Sequence, residues 1–161
     1  MKDKVREMGL TTLATRLKRI SDKLSFSVRS MYKELDIDVE PNWYLVLLTV
    51  KENDAVAVMD LAQALGFRHQ SVMTMTGKMI NRGYLTSRKD PTDGRRTVFQ
   101  LTAKAEQVFP RLQDIWAKGE SILTDLVGPH QQLLSALNDF EDKLNDASFG
   151  DRILQQLKNE A

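Results

Sequence analysis

The sequence predicts a mainly α-helical protein with a small β-hairpin wing and long amino- and carboxy-terminal helices. Three observations carry that expectation. Leu10, Leu13, Leu17, Ile20, Leu24, Val28 and Met31 recur at spacings of three and four, an apolar stripe at helical period. Comparable stripes fill residues 102 to 158. Between them, Tyr84-Leu85-Thr86 and Thr97-Val98-Phe99-Gln100-Leu101 flank Arg88-Lys89-Asp90-Pro91-Thr92-Asp93-Gly94-Arg95-Arg96. Asp-Gly between strand-like runs predicts a hairpin, because Gly accepts the positive φ that a tight reversal demands.

The elements follow in order. The first stripe predicts one continuous helix over about Val5 to Leu35, on the order of 45 Å long at 1.5 Å per residue. A small core cannot cover that length, so part of the stripe is expected to pack on a second subunit. Asp36-Ile37-Asp38-Val39-Glu40-Pro41 breaks it, and Pro41 suits the first turn of a second helix reaching about Lys51. Glu52-Asn53-Asp54 reads as a polar turn and Ala55-Val56-Ala57 as a short strand. Val58 to Leu65 reads as a short helix stopped by Gly66, and Arg68 to Asn81 as a further helix ended by Gly83. Past the hairpin, Thr102 caps a helix to about Val127, with Pro110 expected to kink it unless the helix restarts there. Gly128-Pro129 stops that helix. Two more follow, over about His130 to Asn145 and Phe149 to Lys158.

Composition bounds the function. The 161 residues fit one domain, or one domain with an oligomerisation extension, and the net charge is only +1. The charge is polarised, however. From Gly66 to Arg96 seven cations stand against Asp90 and Asp93, while from Lys118 to the end four cations face eight acids. One face is therefore expected to meet a polyanion. A hairpin tip crowded with Arg is costly unless such a partner neutralises it. The absence of cysteine excludes disulfides and zinc-thiolate sites. His69 and His130 are the only histidines, and no metal site or cofactor is expected. No Ser/His/Asp set, Gly-rich phosphate loop or paired carboxylates support catalysis, so the chain is expected not to be an enzyme. It has no long apolar run, and the expected location is the cytoplasm, away from membranes.

Short helix, Gly turn, helix, strand, basic hairpin and strand together describe a winged helix-turn-helix. Small Ala62 allows close helix approach, Leu61 and Leu65 fill the core, and the second helix can enter a major groove. Its solvent face offers Arg68, His69, Gln70, Ser71, Met73, Thr74 and Lys78 as candidate DNA contacts, with Met73 suited to a thymine methyl. The wing candidates are Arg88, Lys89, Asp93, Arg95 and Arg96.

Here the chain resembles the MarR (multiple antibiotic resistance regulator) family of bacterial transcription factors. The matching residues are Leu61-Ala62…Leu65-Gly66, Ser71-Val72, Gly83-Tyr84-Leu85, Asp90-Pro91-Thr92-Asp93-Gly94-Arg95-Arg96 and Leu101-Thr102. The resemblance implies a homodimer on pseudo-palindromic double-stranded operator DNA, usually a repressor released by a small ligand. It implies that residues 1–35 and 102–161 dimerise while 36–101 form the DNA-binding domain. It gives Asp93 the role of orienting the Arg95 guanidinium and Arg95 that of reaching the minor groove or its phosphates, with Lys89 and Arg96 on phosphates. Arg68 stands where a capping Ser or Asp is usual, and is expected beside a phosphate. Thr74 replaces a frequent Arg, so a strong guanine contact is missing. Arg16, Trp43, Tyr44 and Trp116 are the candidate pocket for a small aromatic or anionic ligand, the aromatics being also good core residues. A winged-helix protein-interaction module without operator binding is the alternative.

Overall fold

In the computed structural model, which describes residues 2–160, the expected first helix is interrupted. Asp3 caps a one-turn helix, α1 (Lys4–Glu7), its carboxylate accepting the amides of Val5 at 3.1 Å and Arg6 at 3.4 Å. A 3-10 turn, Gly9–Thr12, follows, and α2 spans Leu13–Glu34. Gly9 is the reason for the break. Its φ of 56° lies in the left-handed region, where a helix cannot continue, and Thr12 Oγ1 closes the corner on the Val5 carbonyl at 2.6 Å. A stripe of correct period thus hid a turn, since periodicity does not register one left-handed residue.

Two residues past α2 stands Asp36, whose φ of 53° lets the Ile37 amide reach back to the Tyr32 carbonyl at 2.8 Å. Asp tolerates this conformation better than most side chains do. Pro41 opens a 3-10 turn, Pro41–Trp43, before α3 (Tyr44–Asn53), so the second helix is displaced from the expected Pro41–Lys51. Glu52 and Asn53 complete α3, and the turn is left to Asp54 at φ 59°.

The next segments take the expected order. β1 (Val56–Ala57) leads into α4 (Val58–Leu65), Gly66 sits at φ 62°, and α5 covers His69–Asn81. The Phe67 amide donates to the Ala62 carbonyl at 3.0 Å, closing the left-handed cap that only Gly adopts without strain. β2 (Leu85–Lys89) and β3 (Thr97–Leu101) form the hairpin, and β1 pairs on the far side of β3. All pairing is antiparallel, with Val56 opposite Phe99, Leu85 opposite Leu101 and Lys89 opposite Thr97. Beneath the sheet and helices lies one core: Trp43, Val46, Leu47, Val50, Leu61, Val72, Met79, Leu85, Val98 and Phe99 are buried. Buried Thr76 satisfies its hydroxyl on the Val72 carbonyl at 2.9 Å.

α6 (Ala103–Val127) continues through Pro110, and α7 (His130–Asp146) and α8 (Phe149–Asn159) complete the chain. Contacts divide the chain into two compact units, one up to Phe109 and one from Pro110 onward. The second unit exposes Leu133, Leu134, Phe140 and Leu144 on α7 and Phe149, Ile153, Leu154 and Leu157 on α8. Leu17, Ile20 and Leu24 on α2 are likewise exposed. None of the described helices is long and apolar enough to cross a membrane.

Thr102 joins sheet to helix. Its hydroxyl donates to the Gly83 carbonyl at 2.6 Å and accepts the Ala105 amide at 3.2 Å, capping α6. Losing both bonds in Thr102→Val is expected to cost about 1–2 kcal/mol, read as a lowered urea midpoint at fixed protein concentration. Thr102→Ser should keep most of that stability.

Candidate nucleic-acid interface

α5 is divided lengthwise by burial. Val72, Met75, Thr76 and Met79 face the core, whereas Gln70, Met73, Thr74 and Lys78 form a solvent face at helical spacing. Arg68, His69 and Ser71 extend that face around the start of the helix, all exposed. Arg68 is the N-cap by backbone alone. Its carbonyl accepts the amides of Ser71 at 2.9 Å and Val72 at 3.2 Å, and its side chain makes no capping bond. The first amides of α5 are therefore left without a side-chain acceptor, as suits an approaching anion.

Thr74 uses its hydroxyl proton within the helix. Its hydroxyl donates to the Gln70 carbonyl at 2.9 Å, so it offers a groove a methyl and an acceptor lone pair rather than a proton. Met73, 47% exposed, lies beside it. The middle of the exposed face is consequently apolar, between polar Gln70 and cationic Lys78.

The wing is longer and more local than a tight Asp-Gly reversal. Arg88 and Lys89, expected at the tip, are the last residues of β2, opposite Val98 and Thr97. The tip is the seven residues Asp90 to Arg96. The Asp90 amide donates to the Arg96 carbonyl at 3.0 Å, and the Arg96 amide to the Asp93 carbonyl at 2.9 Å. Gly94 does not take the positive φ expected of it; the positive-φ glycines are Gly9, Gly66, Gly83 and Gly128. Asp90 supplies the reversal instead. One of its carboxylate oxygens accepts the Thr92 amide at 2.8 Å, the Thr92 hydroxyl at 2.7 Å and the Asp93 amide at 3.4 Å. These bonds hold its pKa below the usual 3.8, the Thr92 hydroxyl contributing most, against a smaller opposing desolvation. Asp93 accepts the backbone amide of Arg95 at 3.0 Å. It orients the Arg95 main chain, not the guanidinium as the sequence led us to expect, because the Asx-type bond lies closer at hand than the side-chain tip.

The cations of this surface separate into those held by a side-chain partner and those left bare. Arg88 Nε donates to the neutral Gln100 Oε1 at 2.8 Å. Arg96 pairs with Asp60 on α4, a contact the sequence reading missed because the partners lie 36 positions apart. Arg82 is also taken up: it reaches Asp38 at 2.8 Å and Glu40 at 3.3 Å, and its guanidinium stacks 5.3 Å from the Trp43 ring centre. Arg29 adds a bond to Glu40 at 3.2 Å. Among the described residues, the side chains of Arg68, Lys78, Lys89 and Arg95 form no ion pair.

The four ligand-pocket candidates fall in different settings. Trp43 is 1% exposed, in edge contact with Tyr84 at 5.8 Å between ring centres. Burial, with a smaller push from Asp38, raises the Tyr84 phenol pKa. Tyr44 is partly exposed at the start of α3, Arg16 is exposed on α2, and Trp116 belongs to the second unit. Two open depressions line α2. One is formed by Thr15, Lys18, Arg19, Asp22, Lys23 and Phe26, and the other, about 270 Å³, includes Arg29, Asp38, Glu40 and Arg82. Neither includes the four candidates. Among the described residues no group of three or more His, Asp or Glu is placed to hold a metal ion.

Residues 37–96 match the family model described as MarR family. No curated protein sequence matches the chain. Among solved structures, the fold is similar to the transcriptional repressor CouR bound to a 23-mer DNA duplex, 24% identical, with TM-score 0.67 over 83% of this chain and 96% of that one. It is similar to a mutant MarR from E. coli complexed with operator DNA, 15% identical, with TM-score 0.65 over 84% and 99%. It is also similar to the PcaV transcriptional regulator from Streptomyces coelicolor in complex with its natural ligand, 20% identical, with TM-score 0.61 over 84% and 96%. At these identities the likeness establishes the fold: a mainly helical winged helix-turn-helix.

The Asp90 turn has a pH signature. A carboxyl with a lowered folded pKa contributes order above its unfolded value and loses it as pH falls through the folded one. A carboxyl-detected NMR titration should place the Asp90 midpoint below 3.8, and Thr92→Ala should move it back up. A midpoint above 3.8 in the parent protein would contradict the turn geometry.

Proposed function

We propose that this chain, whose residues 37–96 match the family model described as MarR family, is a DNA-binding transcriptional regulator of that family. The finer form of the reading is a cytoplasmic homodimeric repressor of pseudo-palindromic operators, responsive to a small ligand. One observation carries the DNA assignment: a helix-turn-helix helix with a bare solvent face is followed by a wing whose Lys89 and Arg95 lack any acidic partner. Unneutralised cations bordering a groove-sized helix are what a phosphate backbone rewards, by releasing its counterions.

In this reading α5 enters the major groove with Gln70, Ser71, Met73 and Thr74 toward base edges. Arg68, His69, Lys78 and Lys89 meet phosphates, and Arg95 reaches the minor groove. Arg88, held by Gln100, is a nearby third wing cation. Residues 36–101 carry DNA recognition, and residues 1–35 and 102–161 carry dimerisation. The exposed apolar side chains of α2, and separately those of α7 and α8, support that second role, because exposed apolar faces mark interaction sites. A dimer presents two recognition helices to half-sites about one helical turn apart, and a ligand acts by shifting the population that has the matching spacing. Support for the ligand arm is limited to shared architecture, as Trp43 is enclosed by its own core. The chemistry is recognition, with no catalytic role assigned to any residue.

The test uses duplexes selected from a random-sequence pool and the chain's own upstream DNA. Arg95→Ala should weaken binding about tenfold or more, and Lys89→Ala should flatten the log-log salt dependence by about one. Binding that is insensitive to salt and to Arg95 would favour the protein-interaction module instead. Sequence reading by Met73 has a separate check. Replacing thymine by deoxyuridine in each half-site removes only methyl groups. It should weaken the parent protein a few-fold and leave Met73→Ala nearly unchanged, because methyl contacts are apolar.

A further inference from the structure

We propose that Asp60 is an internal competitor for DNA, holding the wing residue Arg96 in a pair that a DNA phosphate must displace. The inference rests on the DNA-binding reading above and adds a residue that sets its strength. Arg96 is the last residue of the wing tip, directly before β3, and its Nη2 donates to Asp60 Oδ2. Asp60 lies in the first turn of α4, the helix that precedes α5 across Gly66. The pair therefore ties the wing to the helix-turn-helix. Among the described residues neither side chain makes another hydrogen bond or ion pair, although the Arg96 charge also acts on the Asp90 carboxyl.

Exposure decides what the tie can do. The side chains are 44% and 59% exposed, so water screens the pair and its net worth is small. A pair this weak cannot rigidly brace the wing. It does alter what DNA encounters: an Arg already matched with a carboxylate condenses no new charge on the phosphate backbone until it leaves its partner. Asp60 also presents a negative charge beside the surface that DNA approaches. Its place in the first turn of α4 gives it a local reason to be acidic, through the helix dipole, that does not require Arg96. The neighbouring cations Lys89 and Arg95 have no such competitor. Arg96 is thus a reserve contact rather than the standing phosphate anchor its sequence position suggested.

The experiment is a double-mutant cycle on the full chain, with affinities measured by fluorescence anisotropy on one selected duplex across a salt series. Asp60→Asn keeps the shape and removes the charge. It should tighten binding about two- to fivefold at 0.1 M salt and steepen the salt slope by about one phosphate contact. Arg96→Ala should cost less than about twofold in the parent protein and clearly more in the Asp60→Asn background. Asp60→Glu should stay near the parent, and melting curves confirm that each variant is folded. If Asp60→Asn weakens binding, or leaves both affinity and slope unchanged, the competitor role is overturned and Asp60 is at most a strut. If the parent protein itself binds no duplex, the DNA-binding reading falls and this one with it. Binding by the parent without tightening in Asp60→Asn overturns only this proposal.

Discussion

Everything at the candidate interface depends on α5 having one face buried and the other left bare. Val72, Met75 and Met79 sit in the core while Met73 and Thr74, their immediate neighbours in sequence, stand in solvent. Rotating the helix by one residue, about 100°, would bury polar groups and expose Met79, so the core fixes the azimuth of the solvent face. Gly66 fixes the approach to it, because the left-handed cap brings Phe67 back onto Ala62 and sends the chain into α5 at a set angle. The wing is then placed by register, with Lys89 opposite Thr97 and β3 shared between β1 and β2. Side chains that never touch a ligand thus decide where those facing one can point.

The charges obey a second division of labour. Arg82 lies in the same basic stretch as the wing, yet Asp38, Glu40 and the Trp43 ring take it into the scaffold. Lys104 joins that cluster, donating to the Arg82 carbonyl at 2.7 Å and standing 4.2 Å from the Tyr84 ring centre. Counting cations along the sequence therefore overstates what a polyanion would meet. The surface is selective because acids from distant positions cancel some of the positive charges and leave others.

Most of the fold was legible because its determinants are local. Alternating burial, Gly66 after an apolar helix, Gly83 before a strand and Thr102 before α6 all act within a few residues. The misses have equally physical origins. Gly9 breaks a helix whose hydrophobic period runs on unaltered, and Asp36 and Asp54 adopt positive φ, which a rule built on Gly does not flag. Pro41 marked a start correctly, but the turn it opens is 3-10. In the wing, Asp-Gly was given the reversal that Asp90 performs. At the interface the exposed positions of α5 followed from period alone. The Asp60–Arg96 and Arg82 contacts did not, since pairing across 36 or more positions requires a tertiary structure.

The wing tip carries a further consequence. Its shape comes from Asp90, Thr92 and Asp93 bonding to one another and to the adjacent backbone, with no contribution from a partner molecule. Those seven residues surrender their conformational freedom when the protein folds rather than when it meets a ligand. Recognition by a pre-organised tip loses less entropy on association than recognition by a floppy arm of the same charge. Its geometry also belongs to the protein alone, so any molecule that meets the tip must adapt to it rather than the tip to that molecule.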